Sequence, residues 1–221
     1  MHNSLNNLIE IQKEIQLKVY ESNNLNNPPK IIAVSKTHPM STILPLINHG
    51  HLDYGENKVQ EAIVKWENIK PDFGRLNLHM IGKLQSNKVK QAISIFDYIH
   101  SLDNLKLAKK ISIEQNKINK KLKIFIQINI GNENQKSGIT YDKLEDFYKN
   151  CVQDLNLDII GLMCLPPVDK DAKNYFLEMK NLAKKIKVSE LSMGMSSDYQ
   201  DAAIFGSTFL RIGSKIFGER V

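Results

Sequence analysis

The sequence predicts an α/β protein that folds as a single (β/α)8 barrel with an extra N-terminal helix. Short runs of aliphatic and β-branched residues alternate with stretches in which apolar residues recur at helical spacing, a pattern typical of βαβ units and parallel strands. Eight such runs occur, and eight strands close into a TIM-type barrel of packable diameter. An open, doubly wound sheet has the same periodicity. No linker or internal repeat divides the 221 residues, so we expect one domain over residues 1–221.

The predicted elements follow one another regularly along the chain. The first helix spans residues 4–21, which lack Gly and Pro and carry Leu5, Leu8, Ile15 and Val19 at roughly helical spacing. An Asn-rich loop follows at 23–29. Strands are predicted at 31–35, 52–54, 78–81, 98–101, 123–129, 157–162, 190–192 and 209–212. Helices are predicted at 41–48, 58–68, 87–95, 104–115, 141–150, 172–185 and 198–205.

The basic charge balance does not favour a nucleic-acid partner. The formal net charge is +6, and 27 of the 30 basic residues are lysines, the arginines being Arg75, Arg211 and Arg220. Nucleic-acid-binding proteins favour arginine, and these lysines are scattered over predicted helices rather than gathered in a stripe. We therefore expect a solvated basic surface with a weak preference for anionic ligands.

The cysteines and the apolar runs exclude two further classes of protein. Cys151 and Cys164 have neither CxxC spacing nor a matching pair of histidines, so no zinc site is predicted. The uninterrupted apolar runs are far shorter than a membrane span, and no signal-peptide pattern opens the chain. We expect a reduced, soluble, cytoplasmic protein without membrane contact.

The first predicted strand ends on a lysine, in the sequence IIAVSKTH at residues 31–38. After a strand with both faces covered, Lys36 either extends its amine to water or lies in a site that uses it. Partial burial lowers the pKa of a lysine and leaves more free amine, which Schiff-base formation requires. Because reacting groups lie at the C-terminal ends of barrel strands, Lys36 is a candidate Schiff-base residue; a surface lysine is the alternative.

Two turns rich in Ser and Gly follow the last two predicted strands, within LSMGMSSDYQDAAIFGSTFLRIGSKIFGER at residues 191–220. Met193 and Ser196 follow the seventh strand, before an Asp-capped helix, and Gly213 and Ser214 follow the eighth. Barrels frequently bind phosphate with these two loops, and the start of a helix offers unpaired N–H groups. Ser and Gly are also ordinary residues of caps and turns. The two turns together indicate a phosphate site.

Other polar residues near predicted strand ends have two interpretations each. Asn57 either forms a hydrogen bond inside the barrel mouth or caps the next helix, and Glu56 is placed to pair with a nearby lysine. Gly82 would let the backbone approach a ligand. We interpret His79 and Met163 as packed residues rather than catalysts.

Taken in order, six blocks resemble the pyridoxal phosphate homeostasis proteins, the single-domain relatives of the alanine racemase N-terminal barrel. The blocks are AVSKTHP, YGENKVQEA, HMIGKLQSNK, NENQKSG, GLMCLPP and the segment 191–220. They extend over nearly the whole chain, and six blocks in one order are far more specific than any single one.

The resemblance implies a fold type III protein that holds pyridoxal 5′-phosphate (PLP) as an internal aldimine on Lys36. It implies that the phosphate lies against the Ser196 turn and the Gly213–Ser214 turn, with Arg211 beside the pyridine nitrogen and Asn57 near the ring. The implied cofactor-binding residues are Lys36, Asn57, Met193, Ser196, Arg211, Gly213 and Ser214.

The same resemblance implies a carrier rather than a strong catalyst. A cationic Arg211 disfavours protonation of the pyridine nitrogen, so the ring is a poorer electron sink. Racemases of this fold use a second base, a tyrosine from an additional β-domain, for which we expect no room in this chain. We therefore expect a monomeric protein of PLP homeostasis that serves PLP-requiring apo-enzymes transiently. The alternatives are a PLP-dependent amino-acid racemase and, without any chromophore, a Schiff-base aldolase acting on phosphorylated sugars.

Overall fold

The computed structural model describes residues 3–22, 28–133, 137–168 and 170–219, and the strands among them form one closed parallel barrel. These strands are β1 Lys30–Val34, β2 Asp53–Glu56, β3 Asn77–Met80, β4 Tyr98–Leu102, β5 Lys123–Ile128, β6 Asp158–Cys164, β7 Glu190–Ser192 and β8 Phe209–Ile212. Each pairs with its neighbour in sequence, and β8 pairs with β1. The predicted closed barrel is confirmed, and the open-sheet alternative is wrong.

Helices connect the strands and cover the outside of the barrel. The predicted N-terminal helix is α1 Asn3–Glu21, and the others are α2 Met40–Asn48, α3 Val59–Trp66, α4 Val89–Ile95, α5 Leu105–Lys117, α6 Leu144–Lys149, α7 Ala172–Ile186, α8 Tyr199–Ile204 and α9 Ser214–Phe217. Short 3₁₀ turns at Lys70–Phe73, Ser86–Lys88 and Tyr141–Lys143 and a π-helical turn at Asn150–Asp154 complete the connections.

The predicted boundaries differ from the observed ones where a segment leaves regular α geometry. The helix predicted at 141–150 begins with a 3₁₀ turn and runs into the π-helical turn, neither of which has its own apolar period. Helix α9 was not predicted because four residues do not establish a helical pattern. In the loop predicted at 23–29, residues 23–27 lie outside the described residues, as does Arg220.

The inside of the barrel is filled by a small cluster of large side chains. Ile32, Tyr98, Phe125, Met163 and Phe209 pack together there. Met163 is 1% exposed, as expected of a packed residue. The interior is therefore a core and not a channel, so ligand space is left only at the ends of the strands.

Helix α1 packs against α8 and α9, the two helices that follow β7 and β8. Asn7 Nδ2 donates to the carbonyl oxygen of Ile216 at 3.0 Å. Glu14 accepts hydrogen bonds from the Tyr199 hydroxyl and from Gln200 Nε2. The extra N-terminal helix thus supports the two loops on which the sequence places the phosphate site.

None of the helices in the described part of the chain is both long and apolar enough to cross a membrane. Likewise, the described residues contain no group of three or more His, Cys, Asp or Glu side chains placed to hold a metal ion.

Replacing Gly194 with alanine is expected to destabilise the protein more than replacing Gly50. Both glycines have positive φ, +89° and +92°, so either alanine costs about 1–2 kcal/mol of backbone strain. A Cβ at Gly194 would lie 2.5 Å from Cβ of Ala202, whereas one at Gly50 meets nothing within 4 Å. We expect the overlap to cost about 1–3 kcal/mol more. Denaturant unfolding of Gly194→Ala beside Gly50→Ala measures that difference, and equal losses would contradict it.

Candidate functional site

A pocket of about 630 Å³ opens at the C-terminal ends of the strands. Six of the seven residues predicted to bind the cofactor line it, namely Lys36, Asn57, Ser196, Arg211, Gly213 and Ser214. Met193 does not, because its side chain is fully buried in the core and its carbonyl accepts a hydrogen bond from Ser207 Oγ. Met195 lines the pocket instead.

Lys36 lies two residues beyond the end of β1, where the alternation of the strand directs it to the mouth. Ile32 faces the inside of the barrel, so Val34 and Lys36 share its side while Ser35 faces the helices. The Lys36 side chain is partly buried, whereas Ser35 is fully buried. The structure therefore places the candidate amine at the ligand-accessible end of the strand.

Arg211 comes from β8 and is almost completely buried, with 5% of its surface exposed. Its Nη1 donates to Ser192 Oγ at 2.7 Å and its Nη2 to the carbonyl oxygen of Cys164 at 2.8 Å. Burial lowers the pKa of Arg211, but an arginine side chain starts so high that it remains a cation at neutral pH. Two acceptors hold the guanidinium, so its orientation in the pocket wall is fixed before any ligand arrives.

A chain of hydrogen bonds crosses the inside of the barrel and ends on Arg211. Next to Arg211 in this chain is Ser192, whose Oγ lies 2.8 Å from His100 Nδ1. His100 Nε2 lies 3.0 Å from His79 Nδ1, and His79 Nε2 lies 3.0 Å from Asp53 Oδ1. The five side chains belong to β2, β3, β4, β7 and β8, so the network ties opposite walls of the barrel together.

The chemistry of the two ends gives this network a direction. A guanidinium only donates, so Ser192 accepts from Arg211 and gives its own proton to His100 Nδ1. His100 then donates from Nε2 to His79, and His79 donates from Nε2 to Asp53, which assigns both tautomers by the bonding pattern. Burial lowers the pKa of both histidines, in agreement with two neutral rings between an arginine and a carboxylate.

Ring stacking holds the two histidines in this alignment. His79 stacks on Tyr98 with ring centroids 4.2 Å apart, and His100 stacks on Phe125 at 4.3 Å. His79 is thus a packed histidine, as predicted, but it also belongs to the network behind Arg211. The sequence analysis missed His100, Ser192 and Asp53 as members; the available signal was that all three are polar residues at inward-facing positions of their strands.

The two Ser and Gly turns lie side by side at the mouth. The backbone N–H of Lys215 points at Ser196 Oγ over 3.4 Å, so the turn after β7 approaches the start of α9 after β8. Asp198 stands before α8, but its side chain accepts from the Met195 N–H at 2.6 Å and does not cap the helix. That hydrogen bond closes the turn around Ser196.

Asn57 lines the pocket and does not act as the helix cap. The residue at the N-terminal boundary of α3 is Lys58, and it makes no capping hydrogen bond. A Cβ on Gly82 would lie 2.4 Å from the carbonyl oxygen of Asn57. Gly82 is therefore required for the packing of Asn57, while its expected role in letting the backbone approach a ligand stays a prediction.

Comparison with known proteins identifies the family. The model of the alanine racemase N-terminal domain matches residues 16–221. The pyridoxal phosphate homeostasis protein of Haemophilus influenzae is 38% identical over 229 residues, which cover 99% of this chain and 96% of that protein. The chain belongs to the pyridoxal phosphate homeostasis protein family. The family predicted from the sequence blocks is thereby confirmed.

Solved structures agree with this membership. The structure of PipY, the family member of Synechococcus elongatus, with PLP bound has a TM-score of 0.80 at 32% identity and covers 92% of this chain and 100% of that one. The alanine racemase of Clostridium difficile, at 16% identity, a TM-score of 0.68 and coverage of 94% of this chain and 57% of that one, shares the barrel fold. The family's fold type is the one that the sequence predicts.

Acidification is expected to destabilise the folded chain below about pH 6.5, the ordinary pKa of histidine. The pKa of each of His51, His79 and His100 is lowered, with burial as the largest cause, so the unfolded chain binds protons that the folded chain does not. Their stabilising effect is complete above that pH and declines as the pH falls, by up to about 1.4 kcal/mol per pH unit for each histidine.

Denaturant unfolding at several values between about pH 7 and pH 5 measures this slope. In the His100→Gln variant, an amide group replaces the donor and the acceptor of the imidazole but does not titrate. The free energy of unfolding of this variant should therefore depend less on pH. An unchanged slope in that variant would contradict the assignment of a neutral His100.

Proposed function

We propose that the chain binds PLP at the barrel mouth, attaches it covalently through Lys36, and serves intracellular PLP homeostasis without strong catalysis. One observation carries the proposal. Lys36 and Arg211 line the same pocket as both Ser turns, in a chain whose relative PipY has been solved with PLP bound. We further propose that the protein is a cytoplasmic monomer and that PLP-requiring apo-enzymes receive the cofactor from it.

The residues of the pocket fit the chemical groups of PLP. When bound, PLP supplies an aldehyde for covalent attachment, an aromatic ring and a phosphate. Lys36 offers the amine, the Ser196 and Ser214 turns offer hydroxyl and N–H donors for the phosphate, and Ile81 offers an apolar surface for the ring. Asn57 would position the ring from the β2 side.

Simple energetics explain why covalent attachment matters. Each hydrogen bond to the phosphate contributes roughly 1.5–3 kcal/mol, so three or four of them give about 5–10 kcal/mol. Immobilising a small ligand costs about 4–15 kcal/mol, which offsets most of this gain. The phosphate turns alone would hold the cofactor weakly, and Lys36 would supply the remaining affinity in a reversible form.

Arg211 accounts for the expected lack of strong catalysis. Its guanidinium is buried, charged and held by Ser192 and Cys164, so it cannot turn away from the site. If the pyridine nitrogen of PLP lay beside it, such a cation would oppose protonation of the ring, because like charges repel at low dielectric. An unprotonated ring is less electron-withdrawing and would stabilise a negative charge on a bound substrate less. The network behind Arg211 therefore favours storage over reaction.

Replacing Lys36 with alanine is expected to abolish covalent attachment. The wild-type protein should show the visible absorption band of attached PLP, and borohydride reduction should fix the cofactor on the peptide that contains Lys36. The Lys36→Ala protein should lack both the band and the adduct while still folding, because Lys36 is only partly buried. A colourless wild-type protein that takes up no added PLP would contradict the proposal and favour a sugar-phosphate aldolase.

A second candidate function, amino-acid racemisation, is favoured by the position of His38. A racemase needs a second base besides the lysine, and His38 lines the same pocket as Lys36 while stacking on Phe217 with ring centroids 4.8 Å apart. Even so, we expect a racemisation rate far below the turnover numbers of ordinary enzymes, which are roughly 1–10³ s⁻¹.

Chiral chromatography of a panel of amino acids, incubated with PLP-loaded protein, measures this turnover. A rate within the ordinary enzymatic range that is lost in both His38→Asn and Lys36→Ala would establish the racemase instead. Lys58→Ala, a replacement of an exposed lysine outside the pocket, serves as the control.

A further inference from the structure

A largely buried charged cluster lies directly behind Lys36, between the barrel and helix α3. This Lys65 cluster consists of Lys65, Glu56 and Glu61. Lys65 Nζ donates to Glu56 Oε1 at 2.9 Å and to Glu61 Oε1 at 3.2 Å. It also donates to the carbonyl oxygen of Ser35 at 2.8 Å, and Ser35 is the residue before Lys36.

The Lys65 cluster holds the backbone on both sides of Lys36. On one side, Ser35 Oγ donates to Glu56 Oε1 at 2.8 Å. On the other side, the Thr37 N–H donates to Glu61 Oε1 at 2.5 Å, and Thr37 Oγ1 donates to the carbonyl oxygen of Lys36 at 2.6 Å. These contacts fix the backbone from which the Lys36 side chain extends.

The conformation of Thr37 shows that this turn needs outside support. Thr37 has a φ of +66°, in the left-handed region that β-branched residues rarely adopt. Such a conformation persists only where the surroundings impose it, and it is found preferentially at functional sites. Two contacts hold it here: the His38 N–H donates to the carbonyl oxygen of Ser35 at 3.1 Å and closes the turn around Thr37, and Glu61 accepts the Thr37 N–H from outside the turn.

The burial of the cluster indicates that stability alone does not explain it. Glu56 is fully buried and the Lys65 side chain is 11% exposed. Glu56 Oε1 accepts three hydrogen bonds, the third from Trp66 Nε1, while Oε2 has no donor among the described residues. Buried ion pairs are often no more stabilising than an apolar core, and an unsatisfied buried oxygen is a cost. What the cluster does produce is one fixed geometry for the turn at Lys36.

We propose that Lys65 is a positioning residue that, through Glu56 and Glu61, aims Lys36 Nζ at the aldehyde of PLP. The inference rests on the proposed function, because the aim of Lys36 matters only where its amine reacts. It predicts that the cluster affects covalent attachment and leaves the non-covalent contacts of the phosphate and the ring unchanged.

Two ligands separate these effects. PLP has the aldehyde, whereas pyridoxine 5′-phosphate has an alcohol in its place and binds without a covalent bond. We expect Lys65→Met to weaken PLP binding and slow its attachment by about tenfold to a hundredfold, the scale of a misplaced reacting group. The affinity of this variant for pyridoxine 5′-phosphate should change less than about twofold, because Lys65 does not line the pocket and the contacts of the phosphate and the ring stay unchanged. Titration by absorbance and by calorimetry measures both.

Lys70→Met is the matched control. Lys70 Nζ also donates to a backbone carbonyl, that of Ile95 at the end of α4, at 2.8 Å, and to a carboxylate, that of Asp97, at 2.5 Å, but neither partner lines the pocket. The Lys70→Met protein should lose about as much stability as the Lys65→Met protein and bind both ligands like the wild type. A selective loss of PLP binding in Lys65→Met alone supports the positioning role. Equal losses for both ligands, or no loss, would overturn it.

Glu61→Ala keeps the inference testable if Lys65→Met does not fold. Glu61 has 27% of its side chain exposed, and its removal frees the Thr37 N–H without emptying the core. The same selective loss of PLP affinity is expected, and wild-type behaviour would count against the inference. A wild-type protein that binds PLP no more tightly than Lys36→Ala does would overturn the proposed function itself, which separates the two failures.

Discussion

Pairing between β1 and β8 joins the first strand of the chain to the last, and the whole site depends on it. The register sets Ile32 opposite Arg211 and Ala33 opposite Ile212, so residues that follow the two strands leave the barrel side by side. Lys36 and the Gly213–Ser214 turn therefore line one pocket although they lie near opposite ends of the sequence. An open sheet with the same elements would leave β1 and β8 apart, and Lys36 and Arg211 would not line one pocket.

Strand alternation then lets one barrel wall serve two separate tasks. In β2, Asp53 faces the inside and ends the hydrogen-bond network of Arg211, while Glu56 faces the helices and joins the cluster behind Lys36. The inner network fixes a charge beside the pocket, and the outer cluster fixes the turn that carries the amine. Because the two sets share a strand but face opposite sides of it, each can change with little effect on the other.

The sequence predicts the barrel well because the fold follows from periodicity. The strand predicted at 190–192 and the one at 209–212 match β7 and β8 in full, and the residues after them form the mouth. The sequence also predicts that Glu56 pairs with a lysine, but it offers 27 of them. Lys65 is the partner because it lies in the last turn of α3, from which its side chain reaches Glu56 on β2. This contact depends on how the helix packs against the strand, so it cannot be predicted from the spacing of residues in the sequence. Likewise, no spacing shows that the turn at Gly194 sends Met195 to the pocket and leaves the Met193 side chain buried.

On the proposed function, the inner network and the Lys65 cluster explain how a weak non-covalent site would still serve as a carrier. On the proposed function, the entropy lost on binding would offset most of the phosphate contacts, so the bond at Lys36 would set the net affinity. A pre-positioned amine loses little further freedom when that bond forms, which strengthens attachment without adding contacts to the ligand. Ser197 and Ser214 at the mouth are exposed, so a bond at Lys36 would remain open to water and to other amines. On the proposed function, retention and release are therefore both controlled at one turn, and the Lys65 cluster determines how firmly that turn is held.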